Sequence, residues 1–130
     1  MNWIAKRMSE IQFFFDSYAM IELIKGNPNY GKYINAKIVT TKLNLFEVCY
    51  FLIRDFGEGK AREYMRKYWD SIIDFDIEII LVATKLKLTK KREELSMTDC
   101  IGYVLAKSLG VKFLTGDEKF KDMENVEHAK

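Results

Sequence analysis

Short apolar segments alternate with longer helical patterns along this chain, and this alternation restricts its possible folds more than any other feature. Segments that are short and apolar on both faces are typical of strands buried between two layers of helices. We therefore predict a three-layer α/β/α fold with a short, mainly parallel central sheet. The predicted strands are Phe13–Phe15, 36–40, 72–75, 111–115 and Val126–His128. The predicted helices are 17–25, 43–56, 60–71, 77–88 and Met97–Leu109.

The chain contains one proline and neither a low-complexity tract nor an internal repeat. We expect a single domain over residues 11–130, preceded by an N-terminal extension over residues 1–10. No apolar run approaches the about 18 residues of a membrane span. The net charge of +2 excludes a polycationic protein that wraps nucleic acid, although a local basic patch is still compatible with it. These features predict a soluble, cytoplasmic protein without a membrane partner.

The chain has only one histidine and two cysteines, which limits the catalytic and metal sites that it can form. The single histidine, His128, lies near the end of the chain, which disfavours a Ser/His or Cys/His hydrolase. Cys49 and Cys100 lie in apolar runs and lack the spacing of a zinc site. We interpret both as buried, reduced thiols.

Two aspartates follow predicted strands. Asp16 comes directly after the strand Phe13–Phe15, and Asp117 comes two residues after the strand that ends at residue 115. Ligands of parallel α/β sheets gather at the carboxyl ends of the strands, so both aspartates are candidates for a functional site. Both are also candidates for helix N-caps, because aspartate is favoured there.

Glu47 is the only charged residue in the segment 45–53. The predicted helix around it is apolar nearly all round, which is typical of a buried helix. A buried carboxylate needs a cation or another partner. We expect Glu47 to be buried, either as a metal ligand or in a satisfied ion pair.

Asp99 opens the last predicted helix, three residues after Ser96. This spacing predicts a capping box, a role that is compatible with catalysis. Gly102 and Ala106 follow at helical spacing, and such small residues allow a ligand or another backbone to approach the Asp99 face.

The candidate site thus offers only carboxylate oxygens: Asp16, Glu47, Asp99 and Asp117. Hard oxygen donors favour Mg²⁺ or Mn²⁺ over Zn²⁺. Such ions usually serve phosphate chemistry. The chain has no phosphate-binding loop of the GxxxxGK[ST] type, so nucleotide binding is not indicated.

Three segments of the chain resemble the PIN-domain family, which includes VapC-type toxins and several RNA-processing nucleases. They read FFFDSYAMIELIKGN, LNLFEVCYFLI and SMTDCIGYVLAKSLGVKFLTGDEKF. The last is the most specific, because it combines an Asp-led helix, an Ala-x-x-x-Gly-hydrophobic passage and a closing Thr-x-Asp-x-x-Phe. The resemblance covers residues 11–128 and implies a PIN-like fold.

The resemblance also implies roles for individual residues. The acidic metal-binding quartet of the family corresponds to Asp16, Glu47, Asp99 and Asp117, and its accompanying hydroxyl residue to Thr115. The resemblance further implies Mg²⁺- or Mn²⁺-dependent hydrolysis of RNA phosphodiester bonds. For a toxin of this family, it also implies a small antitoxin partner and a homodimer. We expect RNA contacts from Ser17, Lys119 and Lys121. An RNA-processing nuclease and a non-catalytic PIN module that binds RNA or protein are the alternatives.

Overall fold

Four parallel strands form one sheet in the computed structural model, which describes residues 10–130. The strand order is β2-β1-β3-β4. Phe14 of β1 pairs with Phe113 of β3, and Phe15 pairs with Leu114. The predicted α/β fold with a parallel central sheet is therefore confirmed. The strands are β1 (Phe13–Phe15), β2 (Ile38–Val39), β3 (Lys112–Thr115) and β4 (Val126–His128).

Within residues 10–130, five α-helices connect and cover these strands, and their bounds are close to those that the sequence predicts. Short 3₁₀ segments lie in the connections between helices and strands, at Pro28–Tyr33, Trp69–Ser71, Lys91–Glu93 and Glu118–Phe120. The helices are α1 (Ser17–Ile24), α2 (Lys42–Phe56), α3 (Glu58–Tyr68), α4 (Ile77–Thr89) and α5 (Met97–Leu109).

The alternation of side chains along the strands divides the core into two layers. Phe14 and Phe113 lie in one layer with residues of α4 and α5. Phe15 and Leu114 lie in the other, with residues of α1, α2 and α3. The two cysteines differ in burial. Cys100 is buried as expected, whereas Cys49 is only partly buried.

Gly102 serves packing between helix and sheet. A Cβ atom at this position would lie 2.7 Å from Cε1 of Phe14 and 3.1 Å from Cε1 of Phe113. Ala106, one turn further along α5, is fully buried. The expectation that these small residues leave room for a ligand is therefore wrong, because aromatic side chains of the sheet fill the space.

The predicted strand over residues 72–75 is also wrong. Only one isolated parallel bridge forms there, between Thr40 and Ile72. The segment then runs directly into Asp76, whose carboxylate accepts a hydrogen bond from the backbone N–H of Ile79 and caps α4. Pairing does not continue because the partner strand β2 leaves the sheet at Thr41, which caps α2.

The predicted N-terminal extension over residues 1–10 lies outside the described residues, apart from Glu10. Within residues 10–130, no helix combines the length and the apolar composition needed to cross a membrane.

Candidate active site

Asp16 and Thr115 meet at the carboxyl edge of the sheet, where β1 and β3 end. The N–H of Asp16 donates a hydrogen bond of 3.2 Å to the carbonyl of Leu114, which continues the pairing of the two strands. The Asp16 side chain is only 2% exposed and accepts a hydrogen bond of 2.7 Å from the N–H of Ala19. Asp16 thus caps α1 while its carboxylate stays buried at the strand end.

The Thr115 hydroxyl connects the two aspartates that follow β1 and β3. Thr115 is fully buried, and its Oγ1 accepts a hydrogen bond of 3.0 Å from the N–H of Asp117. The same hydroxyl hydrogen-bonds to the carboxylate of Asp16. This hydroxyl can therefore fix the position of the Asp16 carboxylate.

Asp99 and Asp117 also begin helical segments. Asp99 forms a reciprocal capping box with Ser96 at the start of α5. Asp117 is half-buried, and its Oδ1 accepts a hydrogen bond of 2.9 Å from the N–H of Lys119. The helix-cap alternative is thus confirmed for Asp16, Asp99 and Asp117. Such a cap is compatible with a second role, because a carboxylate has several acceptor positions.

The negative charges of neighbouring aspartates influence the pKa values of Asp16 and Asp99. The pKa of Asp16 is raised to about 8, chiefly by burial and in smaller part by the negative charges of Asp99 and Asp117, while the hydrogen bonds from Thr115 and Ala19 act in the opposite direction. Burial also raises the pKa of Asp99, to which the charge of Asp117 adds. Like charges that face one another in a desolvated place favour a proton or a cation.

Glu47 lies on α2 at the rim of this group. Its side chain is exposed, and its Oε1 accepts a hydrogen bond of 2.5 Å from the hydroxyl of Ser17. The expectation that Glu47 is buried is wrong, because α2 exposes an apolar face instead of burying its whole circumference. Phe46 next to it is 77% exposed, and Tyr50 is 64% exposed.

Asn44 is a polar residue of the site that the sequence reasoning missed. It is 1% exposed, accepts a hydrogen bond of 2.6 Å from the Thr41 hydroxyl, and donates one of 3.0 Å to Oγ of Ser17. Asn44 thereby holds Ser17 in reach of Glu47. The only sequence signal for this role is one uncharged polar residue near the start of an apolar helix.

The two lysines of the candidate RNA contacts differ in their surroundings. Lys119 is exposed, its Nζ donates a hydrogen bond of 3.2 Å to the carbonyl of Glu94, and its charge lowers the pKa of Asp99. Lys121 is exposed as well. The charge of Lys119 thus acts on an aspartate of the site, whereas that of Lys121 acts on Glu118.

The donor set, which consists of carboxylate oxygens, fits Mg²⁺ or Mn²⁺ better than Zn²⁺. Within residues 10–130, no three His, Cys, Asp or Glu side chains are close enough to form a complete metal cage. Mg²⁺ usually keeps several waters and uses only one or two carboxylates of the protein, so it does not need such a cage. The buried Asp16 carboxylate, which faces two other carboxylates, matches that requirement.

The model of one protein family matches most of the chain. The match is to the PIN domain and covers residues 13–126. The chain belongs to the PIN domain family. The resemblance in its sequence is therefore confirmed, and the matched region extends from the strand before Asp16 to the start of β4. No curated protein sequence matches this PIN domain.

Solved structures share the fold at low sequence identity. A toxin–antitoxin complex from Klebsiella pneumoniae is 18% identical with a TM-score of 0.72, covering 89% of this chain and 96% of that chain. VapC20 from Mycobacterium tuberculosis, a toxin that cleaves the sarcin-ricin loop, is 17% identical with a TM-score of 0.73, covering 92% of this chain and 100% of that one. VapBC2 from Rickettsia felis, bound to a DNA fragment from its promoter, is 16% identical with a TM-score of 0.68, at 92% and 100% coverage. The PIN domain thus has the fold of VapC-type toxins.

Proposed function

We propose that this PIN domain is a Mg²⁺- or Mn²⁺-dependent endoribonuclease that acts as the toxin of a toxin–antitoxin pair. One observation carries the proposal: the buried carboxylate of Asp16 faces the charges of Asp99 and Asp117 at the carboxyl edge of a parallel sheet. A group of acids that destabilises itself in this way is better explained by a bound cation than by helix capping alone. The similarity in fold to VapC-type toxins supports the choice of RNA as substrate.

In this proposal each side chain of the site has a distinct task. Asp16, Asp99 and Asp117 would hold a divalent ion, directly or through its bound waters, and the hydroxyl of Thr115 would position the buried carboxylate among them. Glu47, oriented by Ser17, would hold the ion or a water next to it. When bound, such an ion would supply positive charge for the phosphoryl oxygens and would lower the pKa of the attacking water.

Positive charges complete the site on its outer side. Lys119 and Lys121 follow Asp117 in the chain and are exposed, so they can neutralise phosphates of a bound RNA. The Ser17 hydroxyl lies at the same rim and can contact the substrate. We place this activity in the cytoplasm.

Wild-type protein is expected to cleave a mixed pool of single-stranded RNA when millimolar Mg²⁺ or Mn²⁺ is present. Cleavage should stop when EDTA is added and return when an excess of either ion follows, because the carboxylates supply no metal-independent route. The measurement is the fragment pattern on a denaturing gel. Cleavage that persists unchanged in EDTA would contradict the metal-dependent mechanism.

We also propose two protein partners, a small antitoxin and a second copy of this chain. An apolar groove of about 330 Å³ lies between α4, α5 and the start of α2. Met97, which is 74% exposed, lines it two residues before Asp99, so a segment bound there can continue over the aspartates. This groove suits an antitoxin that blocks the site.

The second partner fits the exposed apolar face of α2. Phe46, Tyr50 and Ile53 recur at helical spacing on that face and are 77%, 64% and 49% exposed. Apolar patches of this kind mark protein interfaces. We assign this face to the homodimer.

Charged substitutions are expected to separate the two associations. Phe46→Glu should convert the dimer to a monomer, as measured by light scattering, because it places a charge in a desolvated interface. Ile80→Glu, in the groove, should instead weaken binding of the cognate antitoxin while the dimer persists. Wild-type association of both variants would contradict the assignment of these faces.

A further inference from the structure

An exposed tryptophan lies near the start of α2. Trp69 begins the 3₁₀ segment that follows α3, and its side chain is 55% exposed. The ammonium of Lys42 lies 5.8 Å from the centroid of its ring, at the start of α2. Burial of the Trp69 ring against a ligand would be favourable, because a tryptophan side chain has a large apolar area and can also stack. The cation beside the ring adds a favourable interaction. Trp69 is therefore a candidate binding residue.

Two arginines extend this arrangement along α3. Arg62, Arg66 and Trp69 follow one another on successive turns, so they lie on one face. Together with Met65 and Asp70 they line a hollow of about 390 Å³. Both arginine side chains are exposed, and Arg62 forms an ion pair of 3.7 Å with Glu58. We refer to Lys42, Arg62, Arg66 and Trp69 as the Trp69 surface.

Backbone hydrogen bonds tie the Trp69 surface to the carboxyl edge of the sheet. The N–H of Thr40 donates to the carbonyl of Ser71 at 3.0 Å, two residues after Trp69. The hydroxyl of Thr40 in turn donates to the carbonyl of Phe15 at 3.0 Å, directly before Asp16. These bonds place Ser71 on the side of β2 away from β1, so a single strand separates the segment after Trp69 from the strand that ends directly before Asp16.

We propose that the Trp69 surface binds single-stranded RNA that extends from the active site, with a base stacked on the indole of Trp69 and phosphates on Lys42, Arg62 and Arg66. The inference rests on the proposed ribonuclease function for its substrate. Alternation of aromatic faces with cations along a groove is the arrangement that binds single strands without reading their sequence. A protein partner is favoured less here, since Lys42, Arg62 and Arg66 give this surface three cations, whereas the apolar faces of α2 and α4 lie elsewhere.

Binding is tested without cleavage, on full-length protein carrying Asp16→Asn, in EDTA, with a fluorescein-labelled short single-stranded RNA and anisotropy as the readout. Trp69→Ala is expected to weaken binding about tenfold, whereas Trp69→Phe retains most of the affinity because it keeps a stacking ring. Arg66→Gln is expected to weaken binding and to lower the slope of log affinity against log salt by about 0.7, the loss of one phosphate contact. Lys60→Gln is the matched control: it removes an exposed charge of the same helix, paired with Glu63 at 3.3 Å, and should change neither.

The outcomes separate this inference from the proposed function. If Trp69→Ala and Arg66→Gln bind RNA like the parent protein, the Trp69 surface is not an RNA site, whether or not the wild type cleaves RNA. If these two variants bind RNA normally but no longer bind the antitoxin, the Trp69 surface is a protein-binding site and the inference is wrong. If both weaken RNA binding and Lys60→Gln does not, the inference stands even where no cleavage is found. Thermal melts of each variant identify any loss that comes from unfolding.

Discussion

Asp16→Asn, Asp99→Asn and Asp117→Asn are each expected to lower metal-dependent RNA cleavage by at least about a hundredfold, because each removes a charged ligand of one cation. The substitution separates the two roles of these residues. Asparagine caps helices as well as aspartate does, so the caps at α1, α5 and the segment after Asp117 should persist. Activity should therefore fall without a loss in melting temperature.

Asp76→Asn is the matched control for these variants. Asp76 caps α4 through a hydrogen bond of 3.1 Å and is exposed, but it is not among the residues assigned to the site. Its substitution should leave cleavage unchanged. Rates of cleavage of one labelled RNA, measured beside thermal melts of the same preparations, give both quantities. Full activity of Asp99→Asn would reduce Asp99 to a helix cap.

Glu47→Gln is expected to lower cleavage less than the aspartate variants do. The side chain is exposed, and a glutamine can still accept the hydrogen bond from Ser17. Pairs of aspartate substitutions should be strongly non-additive, since the first removal already disables a site that acts as a unit. Independent, multiplying losses would indicate that the three aspartates do not share a cation.

The fold could be predicted because local signals agree with the global architecture. Phe13–Phe15 has no polar side chain and ends directly at Asp16, so the sequence alone places both a buried strand and the cap of the next helix. Ser96 and Asp99 mark the start of α5 in the same way, through a pairing within four residues. Such signals depend on neighbouring residues, and they locate the aspartates of the site as well as the helices.

The errors concern features that depend on distant parts of the chain. An apolar helix is compatible both with burial on all sides and with an exposed apolar face, and the sequence of α2 does not distinguish these for Glu47. The space beside Gly102 is occupied by Phe14, which is far away in sequence. The 72–75 segment has the composition of a strand, yet its partner strand ends where Thr41 caps α2, so only a single bridge to Thr40 forms.

The metal-free protein is expected to lose stability as the pH rises from about 4 to about 8. Burial raises the pKa of Asp16 from 3.8 to about 8 in the folded state, so between these values the folded protein binds a proton that the unfolded chain has released. The free energy of unfolding must then decrease with pH, by up to about 1.4 kcal/mol per pH unit for one such group. Denaturant titrations in EDTA at about pH 5.5 and about pH 8 should differ by about 2 kcal/mol or more from this cause.

Asp16→Asn removes the titrating group and should flatten this dependence, so that at about pH 8 the metal-free variant is more stable than the wild type by a few kcal/mol. Asp76→Asn should keep the wild-type slope. Mg²⁺ or Mn²⁺ binds the ionised carboxylates of the folded state, so millimolar ion should restore the stability of the wild type at about pH 8 by mass action and leave Asp16→Asn nearly unchanged. A slope that survives in Asp16→Asn would show that another group titrates. A wild type that neither ion stabilises at this pH would argue that the three aspartates hold a proton rather than a metal.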